Sequence, residues 1–133
     1  MAAEGAPITL TVTFTAETDK NSLLGRPGQY TSKAAFSDTR AKGPLAKNGE
    51  IEAGGGVECF ANTTDTQKRA TYLATVTQSS SMFNEYNYTA GDCLLRLSRY
   101  LTPDQAATDS AAFSKVMGAP LVTPTPVPVP SAS

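Results

Sequence analysis

The chain has 133 residues, eleven lysines and arginines against twelve aspartates and glutamates, 40% hydrophobic residues and no histidine. A near-neutral chain of this length is expected to form one domain with one modest core, and it carries no global charge that calls for a nucleic acid or a membrane surface. Without histidine, Ser-His-Asp and Cys-His catalysis are excluded, and Cys59 and Cys93 alone make a poor zinc site, so no cofactor, metal or enzyme activity is expected.

Ile8, Leu10, Val12 and Phe14 alternate with Thr9, Thr11, Thr13 and Thr15, the period of a strand with one buried face. Asp19 to Leu24 reads as a helical turn stopped by Gly25, Pro27 and Gly28, and Gln29 to Ser37 as a second strand. Residues 38 to 50, with Gly43, Pro44 and Gly49, predict a long exposed loop. Gly54-Gly55-Gly56 lacks the Lys-Ser/Thr of a phosphate-binding loop and is read as a flexible start or bulge of a third strand, Val57 to Ala61.

A first helix follows, with Thr64 and Gln67 as a capping box and Ala70, Leu73, Ala74, Val76 and Thr77 as its apolar stripe. Tyr86 to Tyr88 and Asp92 to Ser98 then predict a hairpin turning near Gly91. The second helix has Thr102 as cap, Pro103 at its first position, Gln105 completing a box, Leu101 stapled to Ala106 and Gly118 as the stop. Its predicted inward face is Ala106, Phe113, Val116 and Met117.

The order β-β-β-α-β-β-α predicts an α+β domain: a mainly antiparallel sheet of about five strands with both helices packed on one face. The domain is expected over residues 7–118, between a disordered 1–6 and a Pro-rich disordered tail, 119–133, in which five of the nine prolines fall. No stretch approaches a membrane span, and Met1 to Glu4 has neither the basic start nor the apolar run of a secretion signal. A cytosolic protein and an exported one with a processed leader both fit. The Ser, Thr, Gly and Pro content and the tail favour export, an extracellular or cell-surface place.

On the third strand Cys59 shares a face with Val57 and Ala61, and on the fifth Cys93 shares one with Leu95 and Leu97, while Arg96 and Ser98 point the other way. If these strands are neighbours, a Cys59–Cys93 disulfide is favoured, with two buried free thiols as the alternative. Lys20, Arg26, Lys33, Arg40, Lys42 and Lys47 form a basic segment opposed only by Asp38. Within it, Arg26, Gln29, Tyr30, Lys33 and Arg40 are the candidate ligand-binding residues, set on a Gly/Pro-shaped turn and suited to a cell-envelope protein or an anionic wall polymer. Solvated charge is the bland alternative.

Phe83, Tyr86 and Tyr88 read as packing before a stacking platform. Glu50 and Glu52 read as a wet strand start before an acid–base pair, and the sequons at Asn62 and Asn87 are of a kind that arises by chance.

The segments Leu23-Leu24-Gly25-Arg26-Pro27-Gly28-Gln29-Tyr30-Thr31-Ser32-Lys33, Gly55-Gly56-Val57-Glu58-Cys59-Phe60-Ala61-Asn62 and Leu101-Thr102-Pro103-Asp104-Gln105-Ala106 carry a resemblance, supported by Glu85-Tyr86-Asn87-Tyr88 and Leu94-Leu95-Arg96-Leu97-Ser98. Over about residues 8 to 117 the chain resembles a family of small surface lipoproteins of Gram-positive actinobacteria. The resemblance implies a domain tethered outside the cell, with no assigned activity. The family's lipid-bearing N-terminal cysteine is not in this sequence, and Cys59 and Cys93 stand where aliphatic residues are expected, which favours a bridge replacing an apolar contact.

The expected function is a non-catalytic extracellular or cell-surface binding or display module, monomeric. The alternative is a secreted inhibitor or phage superinfection-exclusion lipoprotein that blocks a protein partner.

Overall fold

The threonine-spaced apolar residues at the start of the chain form β1, Ile8–Thr13, and the segment after the Gly/Pro turn forms β2, Ser32–Asp38. The computed structural model describes residues 8–41, 49–79 and 84–124, leaving out the side chains of Thr11 and Ser79. A single 3-10 turn, Ile51–Ala53, leads into β3, Gly54–Cys59, then α1, Thr63–Ser79. The hairpin follows as β4, Glu85–Ala90, and β5, Cys93–Ser98, and α2, Pro103–Met117, completes the order. Among the described residues the five strands make one antiparallel sheet, ordered β1-β2-β3-β5-β4. The α+β architecture and the element order are as the residues predict, and β3 and β5 are neighbours, the condition on which the disulfide is expected.

The helices, however, do not share a face. Along β5, Leu94 packs with Tyr30, Phe60, Ala70 and Leu73, the last two from α1. Its neighbours Cys93, Leu95 and Leu97 pack with Phe36, Ala106 and Phe113, the last two from α2. Since successive strand residues point to opposite sides, α1 and α2 cover opposite faces. The strand pattern carries the reason: Cys93-Leu94-Leu95 is apolar at three consecutive positions and buried at all three, so this central strand needs cover on both sides.

β1 departs from its predicted single face in a related way. Its register with β2 slips between Leu10 and Val12, a bulge that places Ile8 and Leu10 opposite Asp38 and Phe36, but Val12 opposite Ala35. One inserted residue thereby turns Ile8 and Leu10 toward the α2 side and Val12 toward the α1 side.

The triple glycine is the body of β3. A side chain at Gly54 would run into the Phe36 carbonyl oxygen, and one at Gly55 into the Arg96 carbonyl oxygen and the Phe36 ring. Glycine here permits close strand approach and leaves room for that ring. Glu52 sits in the 3-10 turn with Glu50 just before it, so the two do not alternate along an extended segment as expected.

Helix ends follow local chemistry. Asn62 accepts the Asp65 amide at 2.8 Å, so α1 is capped two residues earlier than the expected Thr64. At α2 the Thr102–Gln105 box, Pro103 and left-handed Gly118 all stand as predicted. Val116, placed on the inward face by sequence, is 55% exposed instead, at the lip of an apolar groove of about 330 Å³ lined by Phe36, Val57 and Phe113. Past Gly118, Val122 and Thr89 exchange backbone hydrogen bonds at 2.8 Å along the outer edge of β4.

Candidate functional site

Cys59 and Cys93 are register partners on β3 and β5, with Cα atoms 4.1 Å apart, and they are joined as a disulfide. On the opposite face, beginning at Glu58 one residue before Cys59, the chemistry is ionic. Glu58 is fully buried, and Arg69 from α1 donates to it from Nε at 3.0 Å while Arg96 from β5 donates from Nη1 at 3.1 Å. Arg96 also grips Glu85 through Nε at 2.7 Å and Nη2 at 2.8 Å. Lys33 approaches Glu58 at 3.9 Å and donates to Asp19 at 3.4 Å.

Three cations thus meet three carboxylates, with Asp19 as the far anchor. Its carboxylate accepts the Tyr30 hydroxyl at 2.6 Å and the Leu23 and Leu24 amides at 2.9 and 3.0 Å. Burial alone would raise the Asp19 carboxyl; the hydroxyl and the backbone amides outweigh it and hold the group well below the usual carboxylate range. Burial and the bond to Asp19 push the Tyr30 phenol up, and burial pulls the Lys33 ammonium down against Glu58 and Asp19. Burial likewise opposes the charge on Arg96, but Glu85 and Glu58 prevail and raise it.

Aromatic rings thread the same cluster. Lys33 lies 5.0 Å from the Phe14 centroid and 5.4 Å from that of Tyr30. Arg69 lies 5.6 Å from Tyr30 and 5.7 Å from Tyr72. Tyr72 is 59% exposed on α1 and stands at a cleft of about 630 Å³. The cleft is walled by α1, the 3-10 turn, the 19–30 loop through Asn21 and Leu23, and the ends of β4 and β5. Its polar wall holds guanidiniums already fixed by carboxylates, and Leu23, Ile51, Leu73 and Val76 supply apolar surface. Such a wall offers shape and oriented groups, not net charge.

The five candidate binding residues are not brought together. Arg26 is exposed on a turn closed by the Gly25 amide bonding the Tyr30 carbonyl at 3.0 Å, with Gly25 and Gly28 at φ 84° and 76°. Those positive φ values explain both glycines. Gln29 is half-buried beside it, and Tyr30 and Lys33 are inner parts of the ionic cluster. Arg40 belongs elsewhere, bound to Asp38 and Asp109 at 2.7 Å each. Of the segment's basic residues, Lys33 and Arg40 are paired with carboxylates inside the fold, Lys20 and Arg26 are exposed, and Lys42 and Lys47 lie outside the described residues.

Tyr86 and Tyr88 are half-buried against the α2-side core, and the Tyr86 hydroxyl donates to the Leu101 carbonyl at 3.0 Å; Phe83 lies outside the described residues. Sequence reading missed Glu58, Arg69, Glu85 and Tyr72. The available signal was a charged residue inside each of two otherwise uncharged strand segments, Glu58 in Gly54–Cys59 and Arg96 in Cys93–Ser98, which demands a mate for each.

No protein family model, curated protein sequence or solved structure matches this chain.

Proposed function

We propose that the protein is a non-catalytic binding module of the extracellular space or cell surface, which engages a cell-envelope protein through the cleft beside α1. The observation that carries this reading is Tyr72: a large aromatic, 59% exposed at the cleft, on a rigid helix and beside a guanidinium held by Glu58. Aromatic and arginine anchors of this kind dominate protein–protein binding energy. The disulfide is consistent with an oxidising compartment, and no described helix is long and apolar enough to cross a membrane. Internal neutralisation of Lys33 and Arg40 favours a protein partner over an anionic wall polymer.

A photo-crosslinker at Tyr72 is expected to capture one envelope protein that a crosslinker at Val116, beyond the sheet, does not, and Tyr72→Ala is expected to weaken binding of that protein at least tenfold, an effect of about 1.4 kcal/mol or more. Equal capture from both positions, or binding unchanged in Tyr72→Ala, overturns the reading. The exposed Arg26 turn favours a second one, a secreted inhibitor or superinfection-exclusion lipoprotein that blocks its partner. Under that reading Arg26→Ala, and not Tyr72→Ala, abolishes the effect.

A further inference from the structure

Away from the cleft, where β2 ends beneath α2, two carboxylates share one cation. Asp38 is 2% exposed and Asp109 is fully buried. Arg40 binds Asp38 through Nε at 3.0 Å and Nη2 at 2.7 Å, and the same Nη2 reaches Asp109 Oδ1 at 2.7 Å. The Arg40 amide adds a bond to Asp38 at 2.9 Å. Among the described residues, Asp109 Oδ2 is the one buried side-chain polar atom with no hydrogen-bond partner.

Two buried carboxylates against one guanidinium leave a surplus negative charge in a dry site, which is costly unless it is neutralised. Oδ2 is also an acceptor with nothing to accept. A single proton resolves both problems, because it removes the surplus charge and turns a carboxylate pair into a carboxyl donor facing a carboxylate acceptor.

We propose that Asp38 and Asp109 hold one proton between them and form a pH-operated latch that joins the end of β2 to α2. With the proton bound, the pair carries a single negative charge that Arg40 balances, and the end of β2 is tied to the helix. Without it, like charges oppose each other across one guanidinium and the tie weakens. The groups facing the pair are Arg40 from the turn after β2, apolar Ile8 opposite Asp38 from β1, and the Tyr88 phenol of β4, which bonds Ser110 beside Asp109. Burial raises that phenol further, so it stays neutral throughout. In the same direction, burial and the Asp38 carboxyl push Asp109 up to about 6 against the pull of Arg40, while Arg40 and its amide hold Asp38 low in spite of burial.

The folded chain therefore keeps a proton that the unfolded chain gives up near the ordinary carboxyl value of about 4. Unfolding releases that proton between about pH 4 and pH 6, so the unfolding constant rises with pH in that window by up to about tenfold per unit, and this contribution levels off above it. Carbon-13 NMR of the aspartate carboxyls in the intact chain tests the latch directly. One carboxyl is expected to titrate near pH 6; Asp109→Asn removes that transition, and Asp38→Asn returns it to the ordinary range. In urea, wild type is expected to lose stability relative to Asp109→Asn from pH 4 to pH 6 and to run parallel to it above. If no carboxyl titrates above about pH 5, if the transition survives in Asp109→Asn, or if the two proteins share one pH slope, the proposal is overturned.

Discussion

Glu58 and Cys59 are adjacent on β3, yet the surroundings they enter on the two sides of the sheet are held by opposite means. On the α1 side, Glu58 organises Arg69, Arg96 and Lys33, and through them Glu85 and Asp19. On the α2 side, Cys59 is bonded to Cys93 among Phe36, Leu95, Leu97 and Phe113. Ionic cohesion depends on every partner being present, because a lone buried charge is far more costly than the pair is favourable. Apolar and covalent cohesion degrades more gradually, by lost contact and by released chain entropy. The side that is harder to build is the one bordered by the cleft. Its fixed guanidiniums are a preorganised surface, which the apolar groove beside the disulfide does not offer.

The sharpest way to break this contrast is Glu58→Ala. It strands Arg69 without its carboxylate and leaves Arg96 with Glu85 alone, and a loss of about 3 to 5 kcal/mol is expected in urea unfolding. A loss below about 1 kcal/mol would mean that the network is no more than solvated surface charge. Next comes Cys59→Ala with Cys93→Ala. Opening a loop with a sequence separation of 34 is expected to lower stability by about 3 to 4 kcal/mol in the chain-entropy model, with the native far-UV spectrum retained.

Tyr30→Phe removes the hydroxyl from buried Asp19 and is expected to cost about 1 to 3 kcal/mol at neutral pH. Because the Asp19 carboxyl is depressed, its contribution is complete above the ordinary carboxyl value and fades as pH falls below it. The Tyr30→Phe penalty should accordingly shrink as denaturation is followed toward strong acid. The smallest effect belongs to Thr102→Ala at the α2 cap, about 1 kcal/mol in the same assay, without any change in the α1-side network.

Much of the framework was legible in the chain because it rests on local chemistry. The α2 boundaries follow from a capping threonine, a proline that needs no amide partner and a glycine free to take φ 62°. The hairpin turn follows from Gly91, and the disulfide from two cysteines placed on the apolar side of their strands. What remained hidden was set by contacts distant in sequence. The apolar run Cys93-Leu94-Leu95 calls for cover on both sides of the sheet, but which helix supplies which side depends on the side each crossover takes. The fate of Lys33 and Arg40 depends on carboxylates brought from Asp19, Glu58 and Asp109, so two residues of a segment that reads as a basic docking patch are spent inside the fold. Local propensity decided where elements begin and end. Tertiary packing decided which charges meet, because a buried charge is tolerated only beside a partner that strand pairing and helix docking bring to it.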